Sequence, residues 1–246
     1  MEIQITHLIL IAAVAACAGF IQSVTGFGFG IFAMMFFPYL LLFTEANILS
    51  SILGAFTSII VVITMTRHVH WKNIIFPIIG SFVATYFAVT FIKSQANTTL
   101  KLLLGIALFG LSIYFFFLSG KIRIKPTWYT GLAAGVLSGI MGGMFAMGGP
   151  PVVIYYMQSE KDSDKYLATL SAFFVVSNVF SITVKTLSGF VTSNVLLGLA
   201  VGIPGMMLGA IIGKAVFRKM NAQMIKKAVY GFMAASGVVN IITALI

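Results

Sequence analysis

Two glycine-rich stretches hold the residues best suited to chemistry. One runs Gln22-Ser23-Val24-Thr25-Gly26-Phe27-Gly28-Phe29-Gly30; the other holds Ser138, Gly142-Gly143 and Gly148-Gly149. Neither pairs a nucleophile with a base. They offer donors: Gly leaves the backbone open to a ligand, and a helix broken there presents free N–H groups and the positive end of its dipole. Gln22, Ser23, Thr25 and Ser138 add side-chain hydrogen bonds. That chemistry is the binding of a small anion, with close helix contact as the alternative use of the glycines. Polar residues also recur at helical spacing, as Asn47, Ser51, Gly54 and Ser58, and again as Ser171, Asn178, Ser181 and Lys185. Interhelical hydrogen bonding accounts for such stripes by itself. Lys185 at the end of one adds an anion route, unless it snorkels to the interface. The candidate anion-binding residues are therefore Gln22, Ser23, Thr25, Gly26, Gly28, Gly30, Ser138, Gly142, Gly143, Gly148, Gly149, Asn178 and Lys185. Leucine at Gly28 or Gly143 is expected to block such a site and leave the fold intact.

Other chemistries fit poorly. Glu2, Glu45, Glu160, Asp162 and Asp164 lie near termini or loops, as do His7, His68 and His70, so no span carries a mid-membrane carboxylate relay. Gly26-x-Gly28-x-Gly30 lacks the strand that a dinucleotide loop requires. Met141, Met144 and Met147 have a spacing that suits soft Cu(I), yet no Cys or His accompanies them, and Met also fills gaps in apolar cores. Cys17 stands alone, which excludes an intrachain disulfide framework. No cofactor, metal site or catalytic residue is called for.

The elements that position these residues follow from composition. Of 246 residues, 60% are hydrophobic and 8% charged, against roughly a quarter charged in soluble domains. Such a chain cannot cover a water-facing surface, and it is too apolar for disorder. It is an all-α polytopic membrane protein, with apolar runs near 5–25, 28–43, 47–66, 74–92, 101–118, 127–145, 148–158, 167–187, 194–214 and 226–245. The first run has no positive residue before it and reads as a membrane helix rather than a signal peptide. Runs 28–43 and 148–158 are short, and each follows a glycine-rich break. The net charge of +10 comes in small clusters between runs, which marks membrane topology rather than a nucleic-acid partner.

The two halves resemble each other. Ala18–Gly26 aligns with Ala134–Gly142 at an offset of 116, Arg67 with Lys185 at 118, and Gly80, Ala84 and Ala88 with Gly205, Gly209 and Gly213 at 125. The last two sets form small-residue packing seams. Repeat 1 covers 1–120 and repeat 2 covers 121–246, within one transmembrane domain. With 5–43 and 127–158 as hairpins, one face gathers Arg67, Lys72, Lys121, Arg123, Lys125, Lys161, Lys165, Arg218, Lys219, Lys226 and Lys227. The other gathers Lys93 and Lys101, a split of eleven to two. The positive-inside rule then makes the repeats inverted, each a Gly-broken hairpin plus three transmembrane helices, with both termini outside. Inverted repeats point to a secondary transporter.

The stretches Gly19–Gly30 and Gly135–Gly143, continuing to Gly148-Gly149-Pro150-Pro151, resemble the sulfite exporter TauE/SafE family, also called the toluenesulfonate uptake permease family. The resemblance covers essentially the whole chain. It implies a multi-pass carrier of the bacterial or archaeal plasma (inner) membrane, moving sulfite, an organosulfonate or another sulfur oxyanion, and it adds Pro150 to the binding residues. The first copy has no matching Pro pair, only Pro38. The expected function is alternating-access transport of a small anion. An anion channel is the nearest rival, and a membrane metal-handling protein or intramembrane enzyme is the alternative from another class. The expected partners are the anion and the lipid bilayer; a homodimer is left open.

Overall fold

A computed structural model describes residues 4–118, 121, 124–217 and 222–245, without the side chains of 24, 25, 216, 217 and 222–226. The helices are α1 (Ile5–Thr25), α2 (Phe29–Phe36), α3 (Phe43–Met65), α4 (Ile75–Lys93), α5 (Asn97–Ile113), α6 (Trp128–Phe145), α7 (Gly149–Ser159), α8 (Ser163–Leu187), α9 (Ser193–Phe217) and α10 (Ala222–Leu245). Among the described residues no strand occurs. Among the described residues seven helices are long and apolar enough to cross a membrane, while the apolar stretch Phe29–Tyr39 is shorter.

Boundaries differ from the sequence reading where local chemistry intervenes. Helix α2 stops at Phe36 and gives way to a 3-10 turn, Phe37–Tyr39, at Pro38, which lacks the N–H a continuing helix needs. Helix α8 starts at Ser163, not 167, because the Asp162 carboxylate caps the N–H groups of Asp164 and Lys165 at 3.0 and 2.9 Å. Arg123, Arg218, Lys219 and the Lys226 side chain lie outside the described residues.

Four helix pairs dominate the packing: α1 with α9, α4 with α6, α3 with α8, and α5 with α10. Exchanging the halves maps this set onto itself. The first two pairs are close backbone contacts. Gly205, Gly209 and Gly213 lie on Ala12, Ala16 and Phe20, and Gly135, Gly139 and Gly143 lie on Pro77, Ser81 and Thr85. Numbers rise together along both seams, so each pair runs parallel. A side chain at Gly205 or Gly209 would drive into a carbonyl on α1. The small-residue seams expected from spacing are therefore packing contacts.

Helices α3 and α8 run antiparallel through the centre. The start of α3 meets the loop after α8 through Glu45 and Thr192, and the start of α8 meets the loop after α3 through Glu160 and His70. The α6–α7 hairpin returns to the face it left, where the Ile124 N–H donates to Gln158 Oε1 at 2.7 Å. At 11 residues, α7 rises only about 16 Å.

Candidate functional site

The two breaks meet in the middle of this frame. After α1, Gly26 (φ 80°) and Gly28 (φ 112°) take left-handed backbone, which Gly adopts without the Cβ penalty. After α6 the same conformation falls on Ala146 (φ 55°). Gly30 packs on the Ala146 carbonyl, and a Cβ on Gly149 would stand 3.1 Å from the Phe27 ring. The two glycine stretches, 116 residues apart in sequence, thus interlock.

A cavity of about 70 Å³ sits at this junction, several times the roughly 10–15 Å³ one water requires. Of the expected residues, Gln22, Gly28, Gly30, Ser138, Gly142, Gly148, Gly149 and Asn178 line it. The first-turn N–H groups of α2, at Phe29, Gly30 and Ile31, have no helical carbonyl to bond, and all three residues border the cavity. Ser138 Oγ donates to the Gly148 carbonyl at 2.5 Å, tying the second break together. Gln22 Nε2 donates to Thr57 Oγ1.

Other expected residues stand elsewhere. Ser23 turns toward α9, donating to the Phe20 carbonyl at 2.8 Å. Gly26 shapes the turn without lining the cavity. Gly143 faces α4, where a Cβ would come within 2.7 Å of Ala88 Cβ, so its smallness serves packing. Pro150 borders a separate apolar groove with Met141. Thr25's side chain lies outside the described residues. The methionines diverge too: Met147 lines the cavity, Met141 that groove, and Met144 a third, against Ala84 and Ala88.

Lys185 does not snorkel. It is 0% exposed, and its Nζ donates to Ser51 Oγ at 2.8 Å and to the Gly142 carbonyl at 3.2 Å. Asn47 Nδ2 donates to the Gly143 and Met144 carbonyls at 3.2 and 2.6 Å. Together they satisfy the carbonyl end of α6, where a cation is favoured by the helix dipole. Ser51 and Gly142 both border the cavity, so the ammonium stands one hydroxyl behind its wall. Arg67, its counterpart by offset, is exposed in a 3-10 turn after α3.

Sequence reasoning missed Ser50 and Ser177. Both border the cavity and, like Ser181, have buried hydroxyls without a hydrogen-bond partner among the described residues. A signal was there: Ser177, Ser181 and Lys185 repeat every four residues, as do Ser50, Gly54 and Ser58. Ser81 and Thr85 on α4 also face the cavity. No acidic side chain lines it, and no cluster of three or more His, Cys, Asp or Glu suited to a metal occurs among the described residues. Unpaired hydroxyls, helix N-termini and a withdrawn cation make a receptor for a small anion.

Comparison with known proteins agrees with this geometry. The protein named "Probable sulfite/organosulfonate exporter TauE" from Cupriavidus necator is similar to this chain, 25% identical over 94% of it and 92% of that relative. No solved structure matches the chain. A family model described as "Sulfite exporter TauE/SafE" matches residues 11–239. The chain thus belongs to the sulfite exporter TauE/SafE family and is a multi-pass plasma-membrane anion transporter, not an enzyme.

Proposed function

We propose that this chain is an inverted-repeat secondary carrier that moves sulfite or an organosulfonate through the central cavity by alternating access. The carrying observation is the cavity itself: three unpartnered hydroxyls, Ser50, Ser177 and Ser181, line it beside the α2 N-terminus, with Lys185 behind. A sulfur oxyanion is all acceptor, and these groups are donors. A carboxylate would repel it, and none borders the space among the described residues. The printed name of the Cupriavidus necator relative supports the substrate class.

Inversion of the repeats, 1–120 and 121–246, draws support from the pairings that survive exchange of the halves and from the parallel α1·α9 and α4·α6 seams. Charge orients the carrier: Arg67, Lys72, Lys125, Lys161 and Lys165 flank the Glu160 end of α8, whereas Lys93 and Lys101 flank the other end. By the positive-inside rule the Glu160 end is cytoplasmic and the termini are outside. The cavity is built from one chain, so transport needs no second copy even where two associate.

Counterflow of labelled sulfite in proteoliposomes tests the reading. Unlabelled sulfite or sulfonate inside should drive uptake of label, and unlabelled carboxylate controls should not. Replacing Ser50, Ser177 and Ser181 together with Ala should remove the counterflow. Flux without counterflow would make the protein a channel.

A further inference from the structure

Two buried carboxylates stand apart from the cavity. Glu45, 3% exposed, lies in the first turn of α3. Its Oε2 accepts the Leu42 N–H at 3.1 Å, and its Oε1 accepts from Thr192 Oγ1 at 2.6 Å and Asn194 Nδ2 at 3.1 Å. Glu160, 7% exposed, is the C-cap of α7, in the short turn before α8. Its Oε1 accepts from Asn73 Nδ2 at 2.5 Å and lies 3.1 Å from His70 Nδ1. Each carboxylate fastens the start of one central helix to the loop that follows the other, and exchange of the halves turns one arrangement into the other. They lie at opposite membrane faces: the 25 residues of α8 put about 37 Å between them, more than the ~30 Å hydrocarbon core.

The chemistry of these contacts suits parting. A carboxylate stripped of partners in a dry interior is costly, but at a membrane face water can replace the lost donors as the contact opens. The α1·α9 and α4·α6 seams cannot part so readily, because at Gly205, Gly209, Gly135 and Gly139 the glycine meets a carbonyl of the partner helix directly and separation would leave a void. Relative motion is thus directed to the ends of the α3·α8 pair, where the two carboxylates sit.

We infer that Glu45 and Glu160 are the two gate latches of the carrier, one at each membrane face, and that they release in alternation. The inference rests on the carrier reading above. Both latches are fastened in this structure.

The test places a single cysteine in the cavity, Met147→Cys in a Cys17→Ser background. A membrane-impermeant methanethiosulfonate reagent is then applied to right-side-out and inside-out vesicles. Glu160→Ala should raise the labelling rate about tenfold from the face bearing the 66–74 loop and leave the other face unchanged. Glu45→Ala should do the same from the opposite face. Tenfold is a shift of 1.4 kcal/mol in the closed–open balance. Removing the donors instead, by Thr192→Val with Asn194→Leu or by His70→Phe with Asn73→Leu, should reproduce each effect. These pairs decide the matter where a glutamate variant fails to fold. Faster labelling from the same face in both variants, or from neither in folded chains that show counterflow, overturns the latches alone. Equal labelling from both faces before any latch is altered, with no counterflow, overturns the carrier reading and the alternation together.

Discussion

Substituting Lys185 by Met separates charge from packing at the cavity wall. Methionine keeps an unbranched, flexible chain of similar reach and removes the ammonium. Nζ lies 2.8 Å from Ser51 Oγ, and an anion that replaces the Asn47 carbonyl as acceptor of that hydroxyl adds about 2.7 Å. At an effective dielectric constant of about 20, a monoanion about 5.5 Å from the ammonium gains about 3 kcal/mol. Loss of that attraction weakens affinity roughly 100-fold, at 1.4 kcal/mol per decade. At mildly acidic pH sulfite and a sulfonate are both monoanions. Equilibrium binding of each to purified wild type and Lys185→Met at that pH reads the loss directly, and it should be roughly 100-fold for both. Unchanged affinity for both ligands in Lys185→Met would refute the electrostatic role and leave Lys185 only as the cap of the α6 carbonyls.

Gly142→Ala places a methyl 3.6 Å from Gly148 Cα, an ordinary contact, beside the cavity. Membrane-inserted protein should be unchanged and counterflow reduced at least tenfold. Gly143→Leu collides with Ala88 and Thr85 of α4 and should lower the yield of folded protein in size-exclusion assays instead. The backbone hydrogen bond from Lys165, then that from Asp164, holds the Asp162 pKa below its ordinary value. That cap strengthens the fold above the unfolded pKa and is lost as pH falls through the lowered folded one. Asp162→Ala should therefore lower the thermal midpoint at neutral pH, and the gap to wild type should close only in strong acid. Lys161→Cys in a Cys17→Ser background should react with impermeant maleimide in inside-out but not right-side-out vesicles; the reverse would overturn the proposed orientation.

The sequence by itself determined the all-helical membrane class, the order of the segments and the two glycine breaks. Those follow from one-dimensional properties: apolar runs long enough to cross a bilayer, and glycines clustered where a helix is interrupted. The small-residue seams were legible for the same reason, since a four-residue repeat lies on one helix face whatever it packs against. Assignments that needed the partner surface were decided only by the tertiary structure. Gly142 and Gly143 are neighbours of the same type, yet one borders the cavity and the other meets α4, because adjacent helical residues point about 100° apart. Lys185 reads from sequence as an interfacial anchor as readily as a buried cation. The fold buries it because the carbonyl end of α6, 43 residues away in the chain, needs its donors. Ser50 and Ser177 are ordinary serines in their segments. They become unpartnered donors only where α3 and α8 bring them to one cavity, a juxtaposition set by long-range packing rather than by local pattern.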